Sequence, residues 1–187
     1  MKKVLLVLMV FCVIGFTQAQ KEVAGITIPV QENFGEYNLT LNGAGVREKL
    51  WIDLYAGALY LSSASSDANK ILNSEEAMAV KLHIVSNLIS SKKMIDAVEE
   101  GFENSTNGNT APLKSKIEKF ITFFKEEINK GDVFDITYQP EKGVVSYKNG
   151  KEKGTIEGME FKKALFGIWL SNKPADDDLK EAMLGLD

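Results

Sequence analysis

Tyr37, Leu39 and Leu41 alternate with Glu36, Asn38 and Thr40, the two-residue period of a strand buried on one face. Gly43 and Gly45 interrupt that pattern and, with Val46-Arg47-Glu48-Lys49, predict a turn or bulge. From Leu50 to Leu61 the chain is almost continuously apolar and includes Trp51, Tyr55 and Tyr60, as expected of a central strand covered on both faces. Periodicity alone leaves a buried helix open for that run. Ala77 to Val85 predicts a further strand.

The period then changes to that of a helix. Ser66 or Asp67 is placed to cap a short helix carrying Ile71 and Leu72. Met94, Ile95, Val98 and Phe102 form an apolar stripe, with Lys92, Asp96, Glu99 and Glu103 on the rest of the surface. The longest helix is predicted from Pro112 to Lys130, capped by Thr110, ended by Gly131, and apolar along Leu113, Ile117, Phe120, Ile121, Phe124 and Ile128. Beyond it, Phe134, Ile136 and Tyr138 alternate with Asp135 and Thr137. Pro140 to Gly143 makes a turn, Val145 and Tyr147 alternate again, and Asn149-Gly150 is a two-residue hairpin signal before Thr155 and Ile156. A helix from Met159 to Leu170, stopped before Pro174, and a short helix capped near Asp176 close the chain. Strands grouped before and after a block of helices predict an α+β fold, a mainly antiparallel sheet with helices on one face.

The first residues fit none of these elements. Met1-Lys2-Lys3, an apolar run from Val4 to Phe16 and the small-residue site Thr17-Gln18-Ala19 predict a secretory signal, residues 1–19, cleaved after Ala19; an uncleaved anchor is the alternative. The mature chain, residues 20–187, is then the size of a single domain with no membrane span. Cys12, the only cysteine, leaves with the signal, which removes disulfides, a cysteine nucleophile and thiolate metal ligands. Loss of Lys2 and Lys3 takes the formal charge from −4 to −6, and dispersed lysines on an acidic chain give no electrostatic reason to expect nucleic acid. No Walker loop, dinucleotide fingerprint or nucleophile elbow occurs, so no cofactor is implied, and the sequence sets no oligomeric state.

One residue stands apart. Arg47 is the sole arginine among 22 basic residues. Its planar, permanently charged fork suits a carboxylate or enolate held by two hydrogen bonds; an ordinary turn arginine, or a partner for Glu48, is the other reading. Tyr55, eight residues on, shares a predicted face with Trp51 and Leu59, and its hydroxyl is satisfied either by the core or by a ligand oxygen. His83, the only histidine, alternates with Val80, Leu82 and Ile84 toward a partly polar face, and one histidine builds no multi-histidine metal site. Asp176-Asp177-Asp178 lacks the glycine and distal glutamate of a calcium loop and reads as helix-capping charge. Phe120 and Phe124 fit either a cavity wall or ordinary core.

Leu41-Asn42-Gly43-Ala44-Gly45-Val46-Arg47, followed by Leu54-Tyr55-Ala56-Gly57-Ala58-Leu59-Tyr60-Leu61, resembles the paired motif of the chalcone isomerase family, a Gly-Ala-Gly-x-Arg segment and then an Ala-x-Gly-x-Tyr-Leu strand. Phe161 to Leu170, with Pro174 and Asp178-Leu179-Lys180 beyond, resembles the closing helices of the family's exported bacterial branch. The resemblance implies an open-faced β-sandwich, a large antiparallel sheet with a helical layer and a cleft between them. It implies that Arg47 matches the arginine that stabilises anionic charge in the plant enzymes. It also implies that Arg47 and Tyr55 match the pair that meets the carboxylate in relatives that hold fatty acids. The tyrosine and asparagine those enzymes carry on the helix near Ser91–Glu103 correspond here to Lys93 and Glu100, and a polar position of the penultimate helix to Ile168.

The resulting expectation is an exported, periplasmic protein that binds a small amphipathic anionic ligand, such as a fatty acid, through Arg47 and Tyr55. An isomerase or intramolecular lyase for a phenolic or enolisable substrate, and a non-catalytic envelope scaffold, are the alternatives.

Overall fold

The computed structural model describes residues 20–186. The predicted signal segment with Cys12 lies outside the described residues.

Among the described residues, nine strands and five α-helices follow one another as β1 (Gln20–Val23), β2 (Ile26–Pro29), β3 (Gln31–Phe34), β4 (Tyr37–Lys49), β5 (Ile52–Leu61), α1 (Ala68–Asn73), β6 (Met78–Ile84), α2 (Ser91–Ser105), α3 (Lys114–Ile121), β7 (Val133–Gln139), β8 (Gly143–Lys148), β9 (Lys151–Ile156), α4 (Met159–Leu170) and α5 (Asp177–Met183). Strands β3 to β9 form one seven-stranded sheet in sequence order, antiparallel throughout. The sheet is curled, its helices pack on one side, and β1 and β2 form a separate hairpin. This is the α+β, open-faced arrangement expected from the sequence.

Alternation sorts the strands into two faces. Tyr55, Leu59, Leu82, Ile84, Phe134 and Ile136 point to the helical layer and make the main core with α2, α3 and α4. Ala56, Ala58, Tyr60 and Ala79 point the other way, into a smaller core closed by Val23 and Ile28 of the β1–β2 hairpin and by Phe34. Lys81 shares that outer face and bridges Glu32 and Asp135 at 2.8 Å each. Burial works against its ammonium, but the two carboxylates outweigh it and lift the pKa. His83 lies on the same side, paired across from Ala56, and is therefore on the opposite face from Tyr55.

Three expectations are refined or corrected. Of the turn or bulge expected at the glycine segment, the structure has the bulge: β4 runs through it, with register shifts between Leu41 and Gly43 and between Arg47 and Glu48. Its glycines serve close packing, since a Cβ on Gly43 would lie 2.0 Å from the Ala182 carbonyl oxygen and one on Gly45 2.6 Å from the Ala182 Cβ. Helix α5 therefore sits directly on the sheet just ahead of Arg47. The apolar run from Leu50 is not all strand either. Lys49 pairs with Ile52, which leaves Leu50 and Trp51 as a two-residue hairpin loop outside the face of Tyr55.

The third correction concerns the long helix. Its α-helical part is only Lys114–Ile121, flanked by 3₁₀ turns at Ala111–Leu113 and Thr122–Phe124, and 125–130 is not helical. Tightening to three residues per turn allows Phe120, Phe123 and Phe124 all to be buried, with edge-on contacts from Phe120 to the other two at 5.7 and 5.3 Å. The predicted cap does not form: Thr110 donates to Glu103 at 3.1 Å instead. The closing helices, by contrast, occupy the predicted residues, with Asp176 Oδ1 accepting from the Leu179 amide at 2.9 Å.

Candidate functional site

Arg47 and Tyr55 are directly opposite each other in the β4–β5 ladder, so both side chains rise from the same face. The guanidinium lies 5.9 Å from the centre of the Tyr55 ring, within cation–π range. Arg47 is half-buried; its Nε is shielded from solvent and has no hydrogen-bond partner. It makes no ion pair among the described residues, Glu48 included. The backbone amide of Glu48 instead donates to Asp176 at the start of α5, at 3.3 Å. The turn-arginine reading, with Glu48 as partner, therefore does not describe this residue.

Tyr55 is buried, and its hydroxyl accepts a hydrogen bond from Trp169 Nε1 of α4 at 3.0 Å. Burial pushes its pKa above the ordinary tyrosine value, against the nearby guanidinium and the Trp169 bond, with Asp176 adding to the rise. The hydroxyl thus stays protonated, with its own hydrogen available to an acceptor. A guanidinium with an unbonded Nε and no ion pair among the described residues stands beside a protonated phenol, which it also influences directly. Such a pair can bind an anionic or carbonyl oxygen.

In front of the pair opens a cleft of about 420 Å³. One wall is the end of the β4–β5 hairpin, with Leu50, Ile52 and Leu54; the other is α2 with Met94 and Ala97, joined by Leu88 and Ile89 from the preceding loop. Lys49, Lys93, Asp96 and Glu100 stand around it. Behind Arg47 and Tyr55 a void of about 30 Å³ continues toward Val98, Phe120 and Ile168. That is room for about one water. The aromatic residues Phe120 and Phe124 belong to the core, and the cleft before Arg47 lies at the hairpin end of the sheet.

The sequence had singled out Arg47 and Tyr55, and the fold brings them together. Sequence reading gives Trp169 no role at the site. The signal was an indole on a helix buried almost throughout, since a buried indole N–H requires an acceptor. Lys93 and Glu100 do reach the cleft, and Ile168 closes its deep end, packed against Gly101 of α2. His83 lies across the sheet, and burial, with Lys81 beside it, lowers its pKa. Among the described residues no three His, Cys, Asp or Glu side chains are grouped to hold a metal, and no helix is long and apolar enough to cross a membrane.

Comparison with known proteins gives two findings. The chalcone isomerase-like family model matches residues 20–185. Among solved structures, the Arabidopsis thaliana fatty-acid binding protein superposes with a TM-score of 0.67 at 17% identity, covering 86% of this chain and 92% of that one. No curated protein matches the chain.

Proposed function

The chain belongs to the chalcone isomerase-like family, and from that premise we propose that it holds an amphipathic acid of the fatty-acid class in the cleft before Arg47. One observation carries the reading: a half-buried guanidinium with an orphaned Nε, facing a mainly apolar cleft and forming no ion pair among the described residues. An unpaired, partly desolvated charge is costly, and a ligand carboxylate would offset that cost. The cleft's volume is within the usual range for small-molecule sites, roughly 300–1,000 Å³. The fatty-acid binding protein of similar fold supports the choice of ligand class.

The head group is held by Arg47 and the Tyr55 hydroxyl. The chain runs outward between the β4–β5 hairpin and α2, because the space behind Arg47 is too small for it. A charge-assisted head-group contact contributes about 1.5–3 kcal/mol, and each buried methylene about 0.8 kcal/mol. Affinity therefore rises with chain length, while Arg47 fixes orientation and selects acids over alcohols.

Titration of delipidated protein with oleate tests this. Arg47→Ala is expected to weaken binding by roughly 10- to 150-fold, and Arg47→Lys by less, since it keeps the charge but loses the fork. Equal affinities for oleate and oleyl alcohol, or an Arg47→Ala protein that binds like wild type, would sink the proposal. Chalcone turnover that disappears in Arg47→Ala would favour the isomerase alternative instead.

We further propose that residues 1–19 are a cleaved secretory signal and that the protein belongs to the exported bacterial branch and works in the periplasm. The basic start, apolar run and small-residue site support this. The mass of the protein recovered from its native host tests it: a chain starting at or within two residues of Gln20 is expected, and retention of Met1 to Ala19 would refute it.

A further inference from the structure

Three hairpins of this protein turn on two residues that both have positive φ. Two use glycine at the second position, Ala24-Gly25 (φ 49° and 73°) and Asn149-Gly150 (51° and 75°). The third, between β4 and β5, places Leu50 and Trp51 there (53° and 61°). Bulky side chains are disfavoured in that conformation, and the chain shows elsewhere that it writes such turns with glycine. Nothing in the fold recovers the cost, because Leu50 is 76% exposed and Trp51 90%.

The placement is as informative as the strain. Among the described residues five large hydrophobic side chains are exposed: Leu50, Trp51, Ile52, Leu88 and Leu186. The first three form the hairpin tip, and Leu88 stands on the opposing loop; Leu50, Ile52 and Leu88 line the cleft. Three of the five thus line one site, and a fourth, Trp51, stands beside them at the hairpin tip.

We propose that this tip seats the cleft's mouth on a lipid bilayer, so that the acid passes between bilayer and protein without crossing water. The inference rests on the fatty-acid reading of the cleft, since such a ligand resides in membranes. A second copy of the chain is a poor occupant. Four partly exposed side chains on a projecting tip present on the order of 400 Å², about half of the roughly 800 Å² per partner of a standard stable interface. A narrow apolar tip is, however, well shaped to enter a bilayer interface, where tryptophan is favoured and flanking lysines reach the head groups. The charges lining the mouth are Lys49 and Lys93 against Asp96 and Glu100, with Lys92 already paired to Asp96 at 2.8 Å and Glu48 and Asp53 paired across the hairpin next to its tip. The signs do not favour an anionic surface, so attachment comes from apolar insertion and depends little on salt.

Trp51→Gly provides the test, because Trp51 is not part of the cleft wall and glycine suits its backbone conformation better. The full protein is floated with phosphatidylethanolamine–phosphatidylglycerol vesicles containing oleate. Separately, oleate is presented in cyclodextrin. Wild type is expected to float with the vesicles, with its tryptophan emission shifted to the blue. Trp51→Gly should partition about tenfold more weakly, extract oleate from vesicles correspondingly more slowly, and match wild type for oleate from cyclodextrin. Wild type that does not float, a variant that floats equally well, or Trp51-dependent self-association in sedimentation would overturn the proposal. If neither protein takes oleate from cyclodextrin, the acid-binding reading fails, and flotation still decides the bilayer contact.

Discussion

Lys162 shows what a single residue does when its surroundings, not its type, decide its role. It lies in α4, the most apolar helix, and its side chain is fully buried. Its ammonium donates to the carbonyls of Ile71, Leu72 and Ser74, each at 2.9 Å, and so caps the C-terminal end of α1. Burial, with Lys163 nearby, lowers its pKa to about 8. In the unfolded chain the ordinary value of 10.5 returns. Between those pH values the unfolded state binds the extra proton, so this residue's contribution to stability grows as pH rises from about 8 toward 10.5 and is smallest below 8. Lys162→Met is expected to cost about 1–3 kcal/mol at pH 7, because three carbonyls lose their donor. The gap to wild type should widen on going to pH 10. Denaturant titrations at the two pH values check both statements. Using the difference cancels the tyrosines, whose raised folded pKa values make both proteins lose stability above pH 10.

Among the elements, α5 makes the closest backbone approach to the sheet. It lies on β4 and β5 over Gly43, Gly45 and Gly57, and Asn42 at the bulge anchors it by donating to the Met183 carbonyl at 2.8 Å. Without those glycines α5 would have to lift, and the Glu48 amide, one residue past Arg47, would lose its bond to Asp176 at the start of that helix. The neighbouring atoms rank the substitutions. Gly43→Ala meets backbone and should cost roughly 3 kcal/mol or more, Gly45→Ala meets the Ala182 Cβ and about 1–2, and Gly57→Ala meets the flexible end of Met183 and less than about 1. Thermal unfolding of the three variants tests the order; a Gly43→Ala protein as stable as wild type would show that α5 is not tightly seated. The same elements show how far sequence reading extends. The stripe of α2 and the limits of α4 are local properties and were legible. The glycines could only be read as breakers, since no local pattern says that a helix more than a hundred residues later will rest on them.

For the molecule as a whole, the sheet is shared by two cores of unequal size. The β1–β2 hairpin closes the smaller one with Val23 and Ile28, and the Pro29 carbonyl accepts from the Tyr60 hydroxyl at 2.9 Å. A chain starting at Val30 is expected to lose at least about 3 kcal/mol and to bind a hydrophobic dye through the uncovered Ala56–Ala58–Tyr60 face; unchanged stability would mean that the outer face needs no cover. Alternation along each strand, helical stripes, capping aspartates and a lone arginine were determined by the sequence itself, because each depends on residues within a few positions of one another. It drew attention to Arg47 and Tyr55 through the lone arginine and the motif's resemblance, and the β4–β5 register sets the two opposite each other. Register and packing decided the rest: that the guanidinium makes no ion pair among the described residues, that Trp169 reaches Tyr55, that a void of about 30 Å³ lies behind them, and that Leu50 and Trp51 leave the strand for the hairpin loop. Those outcomes depend on which distant surfaces meet, and a pattern of polar and apolar positions specifies that a face is buried without specifying what covers it.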